Sequence, residues 1–388
     1  MPVALSFAVL RVTGSVGKLG LVLACQSTVA LLLTLAGGVA GDRFARGRIM
    51  LASLVVRMAV AVVFAAALLT GTASFGLLLA MAGGYGCADG FFGPVSAALL
   101  PGVVPVSQLA PANALIGGTT SSASIAAPAI AGVIVGVLGP GGGFAVLAAV
   151  LALAAGCLAA ARLPARRVTP GPGPGLFSQL KMGWAEFARL RWLWLLTGQW
   201  TVFSLVVLAP VAVLGPAIAE RYLGGAPAWG LITSSLSLGA VGGQVIAGRM
   251  KPAARPAMVL ACLVPVMTAE ALALGLGAPL AVVAIAAAVS GLAMGVQAVI
   301  FATAMRASVP PEVLSRVASI DLLGSEGGQP AGYALAGPAG AAVGTHVVLA
   351  AGAIGMFVAA AAFTLLRPLR VRIVPYEPPR DGARPGQA

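Results

Sequence analysis

The sequence predicts an all-α integral membrane protein built as two six-helix bundles, and three observations carry that expectation. First, 60% of the 388 residues are hydrophobic and only 9% are charged, against roughly 25% charged in an ordinary soluble domain. Ten acidic and 23 basic side chains cannot cover the surface of a soluble chain this long, and the mean hydropathy of +1.03 points to lipid instead. Second, apolar runs of membrane-spanning length recur along the whole chain. Third, a proline–glycine stretch divides those runs into two sets that share a repeat. Lipid burial also sets aside nucleic acid as the partner of a chain with net charge +13 and a pI near 11: leftover basic residues in a membrane protein gather on its cytoplasmic side. The four cysteines, Cys25, Cys87, Cys157 and Cys262, fall inside apolar runs without a CxxC. With a single histidine, His346, they make no metal site and read as buried thiols.

A helix needs about 20 apolar residues to cross the hydrocarbon. Such runs lie near 17–40, 49–70, 74–99, 111–138, 142–161, 192–218, 228–248, 256–276, 279–304, 317–342 and 346–366, preceded by an apolar piece from Pro2 to Leu10. That first piece is half a span long and lacks the basic flank and cleavage site of a signal peptide. At 1.5 Å per residue it covers roughly 13 Å of a core about 30 Å thick. The expectation is an upstream start that supplies the missing inner half-helix.

The basic residues orient the bundle. Arg43, Arg46 and Arg48 follow the second span, and Arg162, Arg166, Arg167, Lys181, Arg189 and Arg191 follow the sixth. Arg249, Lys251 and Arg255 follow the eighth, Arg306 and Arg316 flank the next such loop, and five arginines close the tail. The alternate loops carry Arg11, Lys18 and Arg221 only, while Arg57 lies inside a span. The positive-inside rule then places the even-numbered loops and the C-terminus in the cytoplasm of a multi-pass plasma-membrane protein.

The break from Leu163 to Arg191 contains three Pro-Gly pairs, Pro170 to Gly175, a linker composition. Gln179 to Leu190 then alternates apolar and charged residues at helical spacing, as a helix lying on the inner surface does. The division is residues 1–162 as the N-terminal bundle, 163–191 as the cytoplasmic linker, 192–366 as the C-terminal bundle and 367–388 as the cytoplasmic tail. Gly37-Gly38 recurs as Gly242-Gly243 and Val104-Pro105 as Val309-Pro310, each at the same offset and at the same place in its half. Two parallel six-helix halves about a cavity are an architecture of secondary transporters.

The loop after the second span reads Gly37-Gly38-Val39-Ala40-Gly41-Asp42-Arg43-Phe44-Ala45-Arg46-Gly47-Arg48. Small residues permit a tight turn, and a carboxylate there can accept hydrogen bonds from a helix N-terminus. This resembles the signature loop of the major facilitator superfamily. Gly90-Phe91-Phe92-Gly93-Pro94, Leu100-Pro101 through Val104-Pro105, Ala112-Asn113-Ala114-Leu115 and Val309-Pro310 through Arg316-Val317 are similar to its drug:proton antiporter branch, within the macrolide-efflux and enterobactin-exporter-like group. The resemblance covers essentially the whole chain. It implies alternating-access export, with Gly38, Asp42, Arg43, Arg46 and Arg48 as a gating loop and Asp42 meeting the N-terminus of the eleventh helix. Two features depart from the pattern. The second half's copy, Ala247-Gly248-Arg249, has no aspartate, and Ala127 stands for the first glycine of the exporter pattern that runs through Pro128 to Gly132.

Polar groups at membrane depth are few, so each is a candidate for function. A carboxylate isolated in a low-dielectric cavity can exchange protons near neutral pH. Glu326, Asp89, Asp321 and Glu270 are therefore the proton-coupling candidates, with Arg57 as a charge partner. The alternatives are permanent pairing, as of Asp89 with Arg57, or a helix-capping role for Asp321. Asn113, Gln199, Trp200, Gln244 and Gln297 are substrate-cavity candidates, while Trp192 and Trp194 read as interfacial anchors. The Gly, Ser and Thr residues from Gly117 to Ser124 read as close helix packing. No nucleophile–base pair, metal cluster or phosphate loop is apparent, which sets enzymes, metals and cofactors aside. The expected partners are a small-molecule substrate, protons and the lipid bilayer, and the expected state is a monomer. A cavity so poor in charge suits lipophilic or weakly cationic molecules. Export of one specific metabolite, such as a siderophore, and a degenerate non-transporting protein are the other readings.

Overall fold

Twelve helical segments follow one another in the computed structural model, which describes residues 1–100, 103–161, 184–251 and 255–365. The first, Pro2–Thr13, is 12 residues long and shorter than a membrane crossing. In lipid each backbone N–H and C=O must be satisfied within its own segment, and helix is what these apolar runs form. We number them α1 (Pro2–Thr13), α2 (Val16–Arg43), α3 (Arg46–Leu69), α4 (Phe75–Leu99), α5 (109–138), α6 (140–160), α7 (Arg191–Leu223), α8 (Ala226–Arg249), α9 (Pro256–Gly275), α10 (Leu280–Ser308), α11 (Pro311–Glu326 and Gly328–Val343) and α12 (Thr345–Thr364). The fifth and sixth crossings are continuous except at Gly139, where φ 70 and ψ 174 reverse the chain. Only glycine takes that conformation cheaply, and Pro140 then starts α6 with its fixed φ.

Several boundaries differ from the apolar runs. The motif from Gly37 to Arg48 is mostly helix: α2 continues to Arg43, and α3 begins at Arg46. No proline interrupts Ala36 to Gly41, and the last turns of α2 absorb what the sequence reads as a loop despite three glycines. The eleventh crossing starts at Pro311, six residues before the apolar run, with proline at its first position, where a missing N–H costs nothing. Residues 184–189 are helical and Arg191 already begins α7, while residues 163–183 of the linker and the tail lie outside the described residues. The cysteines are free, and none is buried: Cys157 and Cys262 are exposed, and Cys25 and Cys87 are half-buried. In a membrane protein an apolar run can face lipid, so membership of one does not imply burial.

Basic residues mark one end of the bundle, among them Arg46, Arg48, Arg249, Arg255 and Arg306. We call this the basic end and the opposite one the far end. The packing of the two ends differs. At the far end a single apolar cluster runs through both halves, from Phe7, Leu19, Phe64 and Phe144 to Leu214, Ile232 and Leu274. The basic end of the second half has its own cluster, built on Trp192, Leu193, Leu260 and Val317. Two close helix pairs join the halves at the far end. Gly20 of α2 lies against the Tyr333 carbonyl of α11, and Gly337 of α11 lies against Gly17 of α2. A Cβ placed on Gly132 of α5 would come within 2.6 Å of the Ala226 carbonyl oxygen and 3.0 Å of the Gly230 Cα, both in α8. Toward the basic end of the same helix, Gly117 and Gly118 have nothing within 4 Å of that position.

Candidate functional site

A cavity of about 510 Å³ lies between the halves, below the far-end contacts. Its apolar wall includes Leu23 of α2, Ala127, Pro128 and Ala131 of α5, Ala212 of α7 and Trp229 of α8. Polar groups are spaced around it: Ser6 of α1, Gln26 and Ser27 of α2, Asp89 of α4, Thr233 of α8 and Tyr333 of α11. Helices of both halves therefore build one chamber, mostly apolar with a few fixed polar points, the usual composition of a small-molecule site.

Asp89 is the acidic side chain in that wall, which Met1 also lines. Its Oδ1 lies 2.5 Å from Nη2 of Arg57 on α3. The Arg57 guanidinium is itself held by aromatic rings, 4.5 Å from the Phe92 centroid and 5.5 Å from that of Tyr85. Cation–π contact and ion pairing together fix the arginine in one place. Gln26 sits beside Asp89 and adds a neutral hydrogen-bond partner.

A second pocket, about 220 Å³, lies within the C-terminal half between α7, α10 and α11. Thr197, Trp200, Gln297, Phe301, Asp321 and Glu326 line it, with Met294. Asp321 accepts a hydrogen bond from the Thr197 hydroxyl at 2.5 Å. One turn further on, the Thr201 hydroxyl donates to the Gly324 carbonyl at 2.8 Å. Glu326 accepts from the Gln329 amide at 2.6 Å, and the Trp200 indole lies beside its carboxyl group. Among the described residues, neither Asp321 nor Glu326 forms an ion pair.

The sequence candidates thus fall in different places. Asp89 and Arg57 meet at the central cavity, while Asp321, Glu326, Trp200 and Gln297 meet in the second pocket. Glu270 lies in neither. It is 6% exposed in α9, where its backbone N–H donates to the Ser290 hydroxyl. Gln199 is buried in α7, and its amide nitrogen has no partner among the described residues. Asn113 is exposed, its amide turned back to the Leu109 carbonyl of its own helix, the usual resort of a short polar side chain without a tertiary partner. Gln244 is also exposed. Arg46 and Arg48 start α3. Gly38, Asp42 and Arg43 belong to the last turns of α2, and their side chains lie outside the described residues. Gln26, Thr233, Trp229 and Tyr333 were not singled out by sequence. Gln26 could have been, as an amide within an apolar span; a tyrosine or tryptophan near a span's end looks like an interfacial anchor instead.

Apolar helices in two halves around a shared cavity define a membrane transporter of the major facilitator type. The model of the transmembrane secretion effector family, MFS_3, matches residues 1–374, and the chain belongs to that family. Solved structures share the fold at low identity. A bacterial homologue of the human lysosomal transporter Spinster, inward-facing and unoccupied, is 16% identical with a TM-score of 0.69, covering 95% of this chain and 94% of that one. A mutant of the nucleoside transporter NupG is 12% identical with a TM-score of 0.70, covering 94% of each chain. A POT family transporter in complex with 5-aminolevulinic acid is 12% identical with a TM-score of 0.72, covering 95% and 92%. No curated protein matches the sequence.

Proposed function

We propose that the chain exports amphipathic small molecules across the plasma membrane in exchange for protons, by alternating access, as a member of the drug:proton antiporter branch. The observation that carries this reading is the cavity between the halves, closed at the far end by the α2–α11 and α5–α8 contacts. With the basic end cytoplasmic, a chamber closed at the far end is one loaded from inside. Its apolar wall and sparse polar groups fit lipophilic or weakly cationic molecules better than a densely hydrogen-bonded metabolite. Residues 1–162 and 192–366 are the two bodies that rock about the cavity, connected by 163–191, with 367–388 as the cytoplasmic tail. Asp42 is the gate residue of the α2–α3 corner, closing the basic end against the start of α11. The protein acts as a monomer.

Proton exchange belongs to Glu326 first. It is a carboxyl group at membrane depth, satisfied by neutral donors and next to a cavity. Accumulation of lipophilic cationic dyes in everted membrane vesicles tests the whole reading. Energised vesicles containing the protein should concentrate dye, and a protonophore should abolish the gradient. Uptake that ignores the protonophore overturns proton coupling, and no uptake above empty vesicles across a chemically varied dye panel overturns export.

A further inference from the structure

Three side chains on one face of α11 are hydrogen-bonded in series. The Gln329 amide nitrogen donates to Glu326 Oε2 at 2.6 Å, and the Tyr333 hydroxyl donates to Gln329 Oε1 at 3.4 Å. Their spacing, three and then four residues, is that of neighbours along a helix face. Glu326 lines the second pocket and Tyr333 lines the central cavity. The series therefore connects the two chambers.

We propose that this series is a polarity switch. The proton on Glu326 sets the orientation of the Gln329 amide, and through it whether Tyr333 offers the central cavity a hydrogen-bond acceptor or a donor. This deepens the transport reading above and rests on its assignment of proton exchange to Glu326. It makes Gln329 a positioning residue and Tyr333 a specificity-determining one.

The chemistry follows from the donor and acceptor inventory. An ionised carboxylate can only accept. It draws the Gln329 NH₂ toward itself, which leaves the amide oxygen to accept from Tyr333, the arrangement observed. The Tyr333 hydrogen is then engaged, and what remains for the cavity is an oxygen lone pair. That suits a ligand with an N–H donor, a protonated amine above all. Adding a proton to Glu326 makes it a donor. The Gln329 amide turns over, its oxygen accepting from the acid and its NH₂ donating to the Tyr333 oxygen. The Tyr333 hydrogen is released to point into the cavity, where it meets an ammonium donor with a donor. One O–H bond forms, at Glu326, with a proton taken from solvent; no other covalent bond changes.

The surroundings leave this switch to the series itself. The other titratable groups near Glu326 are Asp321 and Tyr333, both on α11, while α7 and α10 present Thr197, Trp200, Met294 and Gln297 without a charge. Asp321 is engaged by Thr197. Binding of an amine ligand should weaken about tenfold when Glu326 takes its proton, the worth of one hydrogen bond exchanged for an opposed donor pair.

Infrared difference spectroscopy on the purified full-length chain in liposomes, with ring-labelled tyrosine and a pH step, tests this without a ligand. The wild type should show a carboxylic-acid carbonyl band that appears on acidification, together with a tyrosine C–O band that shifts with it. Glu326→Gln should remove both, and Tyr333→Phe should remove the tyrosine band alone. The deciding variant is Gln329→Met, which keeps the side-chain length and loses both hydrogen bonds. It should retain the carboxylic-acid band, which also reports that the pocket is folded, and lose the tyrosine shift. A tyrosine shift that survives in Gln329→Met, or its absence in a wild type whose Glu326 band is present, overturns the switch alone. A carboxylic-acid band unaffected by Glu326→Gln overturns the proton assignment itself, and the switch with it.

Discussion

The two halves handle the half-buried carboxyl groups that line their pockets differently. In the N-terminal half, Asp89 faces a guanidinium at 2.5 Å, clamped in turn by Phe92 and Tyr85. In the C-terminal half, Asp321 and Glu326 meet a threonine hydroxyl, an amide and an indole, and no ion pair among the described residues. A buried charge needs a counter-charge or a dense set of hydrogen bonds. Asp89 finds its counter-charge inside the protein. Asp321 and Glu326 can find theirs in a proton. The difference teaches that one half carries an internally neutralised carboxylate at the central cavity, while the other carries carboxyl groups satisfied by neutral partners alone.

The largest expected effect separates these roles. In reconstituted vesicles Glu326→Gln should lower transport driven by a pH gradient by about a hundredfold, the loss of a coupling of roughly 3 kcal/mol. Substrate binding at fixed pH should survive. Asp89→Asn should keep a pH-driven component while weakening substrate binding. If Glu326→Gln retains full pH-driven transport and Asp89→Asn loses it, the comparison is the wrong way round.

Next in size is the ion pair. Arg57→Leu leaves Asp89 without its counter-charge, and removing one partner of a buried pair costs about 3–5 kcal/mol. Asp89 is a third exposed, so solvent should reduce the cost to about 2 kcal/mol. Adding Asp89→Asn to Arg57→Leu should recover most of it, because the orphaned charge is then gone. Thermal unfolding in detergent of the single and double variants checks this. Equal instability in both would show that Arg57 acts through ring packing and not through charge.

Much of this contrast was legible in the sequence, and the part that was not has a physical reason. Crossings show in hydropathy because lipid demands about 20 apolar residues per helix, and glycine at 139 marks the reversal between α5 and α6. The pairing of Asp89 with Arg57 was one of two open readings, since both stand out as charges inside spans. Which helices face the cavity was not legible: with lipid outside and an apolar chamber inside, both faces of a span are hydrophobic. Gln26 and Tyr333 therefore carry no more local signal than Asn113 and Gln244, which the structure places on exposed surfaces. The α2–α3 corner shows a limit of another kind. The motif residues were recognisable, but small residues support a tight turn and a helix alike, and the chain takes helix to Arg43.

A third, smaller effect extends the comparison from the halves to the ends. Gly132→Ala would press a methyl group against the Ala226 carbonyl and Gly230, and overpacking of this kind costs about 1–3 kcal/mol. That should shift the balance toward far-end opening by roughly 5- to 150-fold, read as spin-label distances across the far end of α5 and α8. Gly117→Ala, in the same helix with nothing nearby, should leave those distances unchanged. Equal responses from the two variants would mean that the α5–α8 contact does not hold the closed end.

The smallest effect asks whether Asp321 shares the exchangeable character given to Glu326. Thr197 and Thr201 stand one turn apart on α7 and both donate to α11, one to the Asp321 carboxyl group and the other to the Gly324 carbonyl. Each hydroxyl also reaches back to its own helix, to Leu193 and Thr197 respectively, so valine removes the same set of bonds at both positions with little change of shape. A hydrogen bond between neutral groups contributes about 1 kcal/mol, and one to a charged group about 1.5–3. If Asp321 carries a proton in the resting protein, Thr197→Val and Thr201→Val should destabilise by the same amount, within about 0.5 kcal/mol. Unfolding midpoints measured side by side at neutral pH give the comparison, with Thr201→Val as the internal standard for a neutral bond. A cost for Thr197→Val larger by about 1 kcal/mol or more would mean that Asp321 is ionised and held so by its threonine. Of the two carboxyl groups in the second pocket, only Glu326 would then keep the exchangeable character.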